Sequence, residues 1–183
     1  MRFFASIKLD VHAKMIARAF LELRKEQFEC SVHNIENVVG RTVSRERRIL
    51  RGEADLALKG LQLLLFTRLV HRYVPTRDLQ AFTGMLILAG WKAEREAVDA
   101  YCLKFHEYLD DDVELLTQVS IPISDYILGH SDPSCWFIVG RVMAIFPLSV
   151  QFMIAKEFGD KDQLEVLDEV LKKTRRELMQ PPQ

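Results

Sequence analysis

Three groups of residues in this chain carry chemistry in their types and spacing. The first is HEYLDDD, from His106 to Asp112. On a helix, His106 and Asp110 lie four apart on one face, and so do Glu107 and Asp111. Either pair could hold a divalent metal. The same residues equally make the water-facing side of an amphipathic helix, continued by Glu96, Asp99 and Glu114 as an acidic stripe. Such a stripe would also suit a basic partner.

The second group is GHSDPSCW, residues 129 to 136. Asp132 is the residue type of a helix N-cap and Pro133 that of the first helical position, which places Cys135 in the first turn. Exposed amides and the helix dipole favour a thiolate there, and His130 is close enough in sequence to act as its base. A cysteine nucleophile with a histidine partner can thus be drawn. Against it, cysteine is among the most often buried residue types, and Cys135 runs straight into Trp136, Phe137 and Ile138.

The third group is RTVSRERRILRG, with Arg41, Arg45, Arg47, Arg48 and Arg51 inside eleven residues. Guanidinium forks match carboxylate and phosphate oxygens. On a helix starting at Ser44, Arg45 and Arg48 would share a side, and Arg47 and Arg51 would be four apart. An acidic protein partner is the expected ligand, with a plain solvated face beside it. Nucleic acid is disfavoured, because the chain is slightly acidic and offers no interleaved exposed aromatics for stacking.

Standard signatures are absent: there is no GxxxxGK[ST], GxGxxG, GxSxG or HExxH, and no histidine has a glutamate three residues before it. No cofactor is therefore expected, and catalysis is not the leading reading.

The elements that must position these groups read as helices. The 183 residues are 49% apolar and 28% charged, with only eight glycines and six prolines, so few long elements are expected. The most apolar stretch runs from Asp132 to Phe158, closed by Gly159, with Pro147 expected to kink it. Trp136 to Ala155 has the length of a membrane span, but Arg141, Ser149 and Gln151 interrupt it and the flanks lack a Lys/Arg bias, so a buried helix is expected. Arg141 should then have a carboxylate partner or reach the surface.

In chain order, residues 3–9 alternate as a short strand or enter the first helix, which carries Val11, Met15, Ile16, Ala19, Phe20 and Leu23 on one stripe. A separate short helix is expected from Ser31 to Gly40. A long one follows from Ser44 to Val74, its second half apolar enough for the core, with a bend at Gly52 or Gly60. Thr76 opens the next, ended by Gly90. Another runs from about Ala93 and restarts near Asp110–Asp112 to reach Val119. Pro122, Gly129 and Pro133 frame a loop. Asp160 with Gln163 has the capping-box pattern, and Leu164, Leu167, Leu171 and Leu178 form the seam of the last helix.

The expected fold is an all-α, single-domain bundle over residues 1–183, six to eight helices around two strongly apolar central helices near Leu61 and Ile145. Residues 1–9 and 180–183 are expected to be extended or frayed. The N-terminus lacks a secretory pattern, and three widely spaced cysteines, Cys30, Cys102 and Cys135, suit a reducing, cytoplasmic setting. Net charge is −1, but residues 1–90 carry 15 Lys/Arg against 9 Asp/Glu, and residues 91–183 carry 10 against 17. Halves of +6 and −7 favour self-association or a charged partner. The leading functional expectation is a protein-interaction or regulatory module. A binder of a small apolar ligand or lipid comes next, and an enzyme without a local motif third.

Overall fold

Helix α1, Arg2–Val39, is one continuous 38-residue rod. Its core stripe is Ala13, Ile16, Phe20, Leu23, Phe28, Val32 and Ile35, all nearly sealed from water, at steps of three to five residues. The computed structural model describes residues 2–179, with side chains for 8–177. Residues 2–9 are thus helical rather than a strand, and the tail expected to fray at 180–183 lies outside the described residues. Ser31 does not open a second helix. It sits mid-rod, its hydroxyl donating back to the Gln27 carbonyl at 2.9 Å. Val11 and Met15 face water, so the buried stripe is rotated from the one they suggest.

Seven further α-helices follow among the described residues: α2 Gly52–Leu69, α3 Thr76–Gly90, α4 Arg95–His106, α5 Asp112–Leu128, α6 Pro133–Met143, α7 Phe146–Glu157 and α8 Lys161–Met179. No strand interrupts them, and the all-α bundle stands. Three single 3₁₀ turns, Arg45–Arg48, Val70–Arg72 and Lys92–Glu94, join helices at changes of direction.

Helix α2 is the hub, packed chiefly on α4, then on α5 and α7. Gly52 opens it in the left-handed region at φ 59°. Gly60 stays helical, because α4 presses on it so closely that a Cβ there would strike the Tyr101 Cβ and come within 3.0 Å of the Cys102 nitrogen. Of the two glycines, Gly52 makes the break and Gly60 the close approach. The helix expected from Ser44 to Val74 therefore begins at Gly52.

The apolar stretch after Asp132 forms two helices rather than one. Asp132 caps α6, its carboxylate accepting from the Ser134 amide at 3.0 Å. The chain breaks at Ala144–Ile145, and Pro147 falls in the first turn of α7, where its missing N–H costs nothing. Helix α6 lies against α5 and α1, while α7 reaches α8, α1 and α2. Helix α2 carries an unbroken buried run from Ala57 to Leu64, whereas Ile145 stands at the break between α6 and α7, so the expected pair of central helices is not seen. Pro133–Glu157 is long and apolar enough to cross a membrane by composition, yet 39% of its most apolar window is buried in the bundle. Phe137 is 71% exposed and Arg141 is half-buried.

Pro122 does not frame a loop. It lies inside α5, which continues to Leu128 and is closed by Gly129 at φ 79°. Packing of Val119, Ile123 and Ile127, each 2% exposed or less, holds the helix together across the missing donor. Asp160 accepts from the Gln163 amide at 3.1 Å and starts α8, which buries Leu167 and Leu171; the Leu178 side chain lies outside those described.

Candidate functional site

The arginine segment folds as a braced loop. Helix α1 ends at Val39, residues 41–44 are extended or bent, and Arg45–Arg48 form one 3₁₀ turn on the Ser44 carbonyl. Tyr126, near the end of α5, is the anchor. Arg47 donates to its carbonyl at 2.9 Å and places its guanidinium 5.3 Å from the ring centroid. Arg51 donates to the Tyr126 hydroxyl at 3.1 Å, and that hydroxyl donates to the Ile49 carbonyl at 2.8 Å. Arg48 is ion-paired with Glu36, whose carboxylate also accepts from the Val43 amide at 2.7 Å. Arg41 and Arg45 are exposed and make no hydrogen bond or ion pair among the described residues. The helix expected from Ser44 is absent here, and the five arginines are three braces and two outward charges.

Between this loop and α1 lies a groove of about 260 Å³. Leu21, Phe28, Ile49 and Leu50 supply its apolar lining, and Lys25, Glu29 and Arg48 its charged edge. Ile49 stands 53% exposed and Leu21 38%. Phe28 and Asp55 also line it, and Asp55 is the centre of a buried ionic network.

Asp55 accepts from Arg24 at 3.0 Å and pairs with Lys59 at 2.6 Å. Lys59 also pairs with Glu94. Arg24 donates to the Gln62 side chain at 2.8 Å and lies 6.0 Å from the Trp91 ring. Gln62 in turn donates to the Phe20 carbonyl at 3.0 Å. Arg24 and Lys59 are 3% and 6% exposed. Burial pulls the Arg24 guanidinium below its usual range, and Asp55 opposes the shift. Motif and spacing alone do not reveal this network. Its signals were a lysine inside the apolar run ALKGLQLLLF and an arginine on the core stripe of α1.

The other candidates are placed apart. Helix α4 ends at His106 and α5 begins at Asp112, so residues 107–110 are turns, Asp111 is extended, and the helical spacing of His106 with Asp110, or Glu107 with Asp111, does not exist. The Asp111 carboxylate is occupied as the N-cap of α5, accepting from Val113 and Glu114 amides. Among the described residues, no three His, Cys, Asp or Glu side chains cluster as a metal site. The acidic stripe from Glu96 to Glu114 is likewise split between two helices, with Asp99 paired to Arg95. Cys135 is 0% exposed while His130 is on the surface, and the two are not hydrogen-bonded. Burial first, then Asp132, pushes the Cys135 thiol up, away from thiolate. Compared with models of protein families, with curated proteins and with solved structures, the chain matches none.

Proposed function

We propose that this chain is a protein-interaction module, and that the groove between α1 and the arginine loop takes an apolar segment flanked by acidic residues on a partner protein. The observation that carries the reading is the braced loop. Tyr126 and Glu36 hold residues 43–51 in place, so Ile49 and Arg45 are presented outward at little ordering cost, with Arg41 exposed just before the braced segment. Apolar anchors in a small, half-open hollow, ringed by charge, are how protein partners are gripped. The groove is smaller than the ~300–1,000 Å³ of sites for drug-sized molecules, and suits one or two side chains. The self-association suggested by the charge halves would set this basic face against the acidic half of a second copy.

The test is fluorescence anisotropy with a labelled peptide of alternating leucine and glutamate pairs, and its lysine counterpart. The acidic peptide should bind more tightly, lose affinity with added salt, and lose at least tenfold with Ile49→Asp or with Arg41→Ser and Arg45→Ser together. Equal binding of both peptides, or no change in those variants, overturns the reading. A dimer of the protein alone that Ile49→Asp dissolves would assign the groove to a second copy instead.

A further inference from the structure

A second hollow, of about 190 Å³, opens where the end of α2 meets α7. Arg68 and Arg72 line it from the α2 end, Gln151 and Ile154 from α7, with Leu69 and Tyr73 between. We propose that this hollow binds a small organic oxyanion, a phosphate or carboxylate carried on a short apolar body. The site is independent of the arginine-loop groove.

Two cations side by side, one at the end of α2 and one in the 3₁₀ turn after it, repel each other, and here only one is compensated. Arg72 is held by Asp160 at 3.3 Å through Nε and donates through Nη1 to Gln163 at 2.7 Å, which leaves Nη2 free and the fork fixed in direction. Arg68 is exposed and makes no hydrogen bond or ion pair among the described residues, and neither does the half-buried Gln151. An oxyanion between them would accept from the Arg68 fork, from the free Nη2 of Arg72 and from the Gln151 amide. The negative end of the α2 dipole favours cations here and explains one arginine. It does not explain why an amide and an aromatic ring face the same hollow.

The apolar part of the ligand follows from Tyr73. Its ring is stacked on Phe158 at 4.9 Å with planes 2° apart, and its hydroxyl donates to Asp160 at 2.9 Å. The ring is thereby fixed, and with Leu69 and Ile154 it gives a preformed apolar wall. The volume admits an anionic group and a ring-sized body, at ~30 Å³ for each water displaced.

The test uses the intact chain and two-dimensional amide NMR, titrated with phenyl phosphate, benzoate and inorganic phosphate. Phenyl phosphate or benzoate should shift amides around residues 68–73 and 151–154 saturably below about 10 mM, a weak but specific range. Phenyl phosphate alone saturating would assign the oxyanion as phosphate, and benzoate alone as carboxylate. Arg68→Gln should weaken binding at least tenfold with an unchanged melting temperature, and Arg68→Lys, which keeps the charge without the fork, by less. Absence of saturation by all three probes overturns the site. So does unchanged affinity in Arg68→Gln, and equal affinity for inorganic phosphate removes the apolar body from it. Ile49→Asp should leave the titration untouched; a loss there would also overturn this location.

Discussion

Gly60 of α2 and Tyr101 of α4 touch backbone to Cβ, with no room for a side chain between them. Tyr101 is also tied to the first turn of α2, its hydroxyl donating to Glu53. Gly60→Ala gains roughly 1 kcal/mol of helix propensity, but forces two packed helices apart, at a cost of about 1–3 kcal/mol. The expected outcome is a lower denaturant midpoint with an unchanged slope. A variant as stable as the parent would mean that α4 is not seated on α2 this closely.

Asp55 neutralises two buried cations at once. Asp55→Asn keeps the shape and removes the charge, leaving Arg24 without its carboxylate and Lys59 with Glu94 alone. Breaking such a pair from one side costs about 3 kcal/mol or more. Adding Lys59→Met to Asp55→Asn should recover part of the loss, which denaturant titration of both variants checks.

The three cysteines should differ in reactivity. Cys30 is exposed, Cys102 half-buried and Cys135 sealed. Burial, with a smaller push from Asp99, raises the Cys102 thiol to about 11, so at pH 8 only about one molecule in a thousand carries its thiolate. Iodoacetamide labelling followed by peptide mass spectrometry should find Cys30 modified first, Cys102 slowly and Cys135 only after unfolding. Early labelling of Cys135 would revive its reading as a nucleophile.

Asp160 sets a sign for acid behaviour. The Gln163 amide, then the Tyr73 hydroxyl, then Arg72 hold its carboxylate below the usual range. A depressed folded value means stability that is present above the unfolded value, about 3.9, and is lost as pH falls through the folded one. Asp160→Asn should therefore melt earlier than the parent at pH 7, and the gap should narrow as pH falls below about 3.9 and close once the folded carboxylate is protonated. A gap that stays constant from pH 7 to pH 2 would show that the charge is not what Asp160 contributes.

Tyr126→Phe removes the hydroxyl that joins Ile49 and Arg51. About 1 kcal/mol of stability should be lost, and amide exchange should rise between residues 43 and 51 while α5 stays protected. Peptide binding in the groove should weaken with it, since the loop would have to be ordered on contact.

Much of the framework was legible because local chemistry agreed with local structure. Thr76–Gly90 is helical as the spacing predicts, and Asp132, Gly159 and Asp160 stand at the helix ends their residue types imply. What misled were positions where tertiary contact overrides local preference. Arg24 interrupts the apolar stripe of α1 in sequence yet is buried in space, because it meets Asp55 from 31 residues away. Pro122 looks like a breaker, yet α5 continues through it, with Val119, Ile123 and Ile127 buried against neighbouring helices. The arginine segment looked helical by spacing. Gly52 and the contacts to Tyr126 and Glu36, 75 to 80 and 12 residues away, turn it into a loop instead. The ionic network and both hollows are assembled from such distant pairs, so no local pattern announced them.

The long first rod has a consequence for synthesis on the ribosome. It meets its neighbour α2 only lightly and rests mainly on α3, α6 and α7. The bond from His12 to Glu157 spans 145 residues. One flank of the rod must therefore wait, uncovered, until nearly the whole chain has emerged. At ~5–20 residues per second, that interval is several seconds or more. Throughout it, part of the Ile16–Phe20–Leu23 stripe is available to chaperones or to other nascent chains.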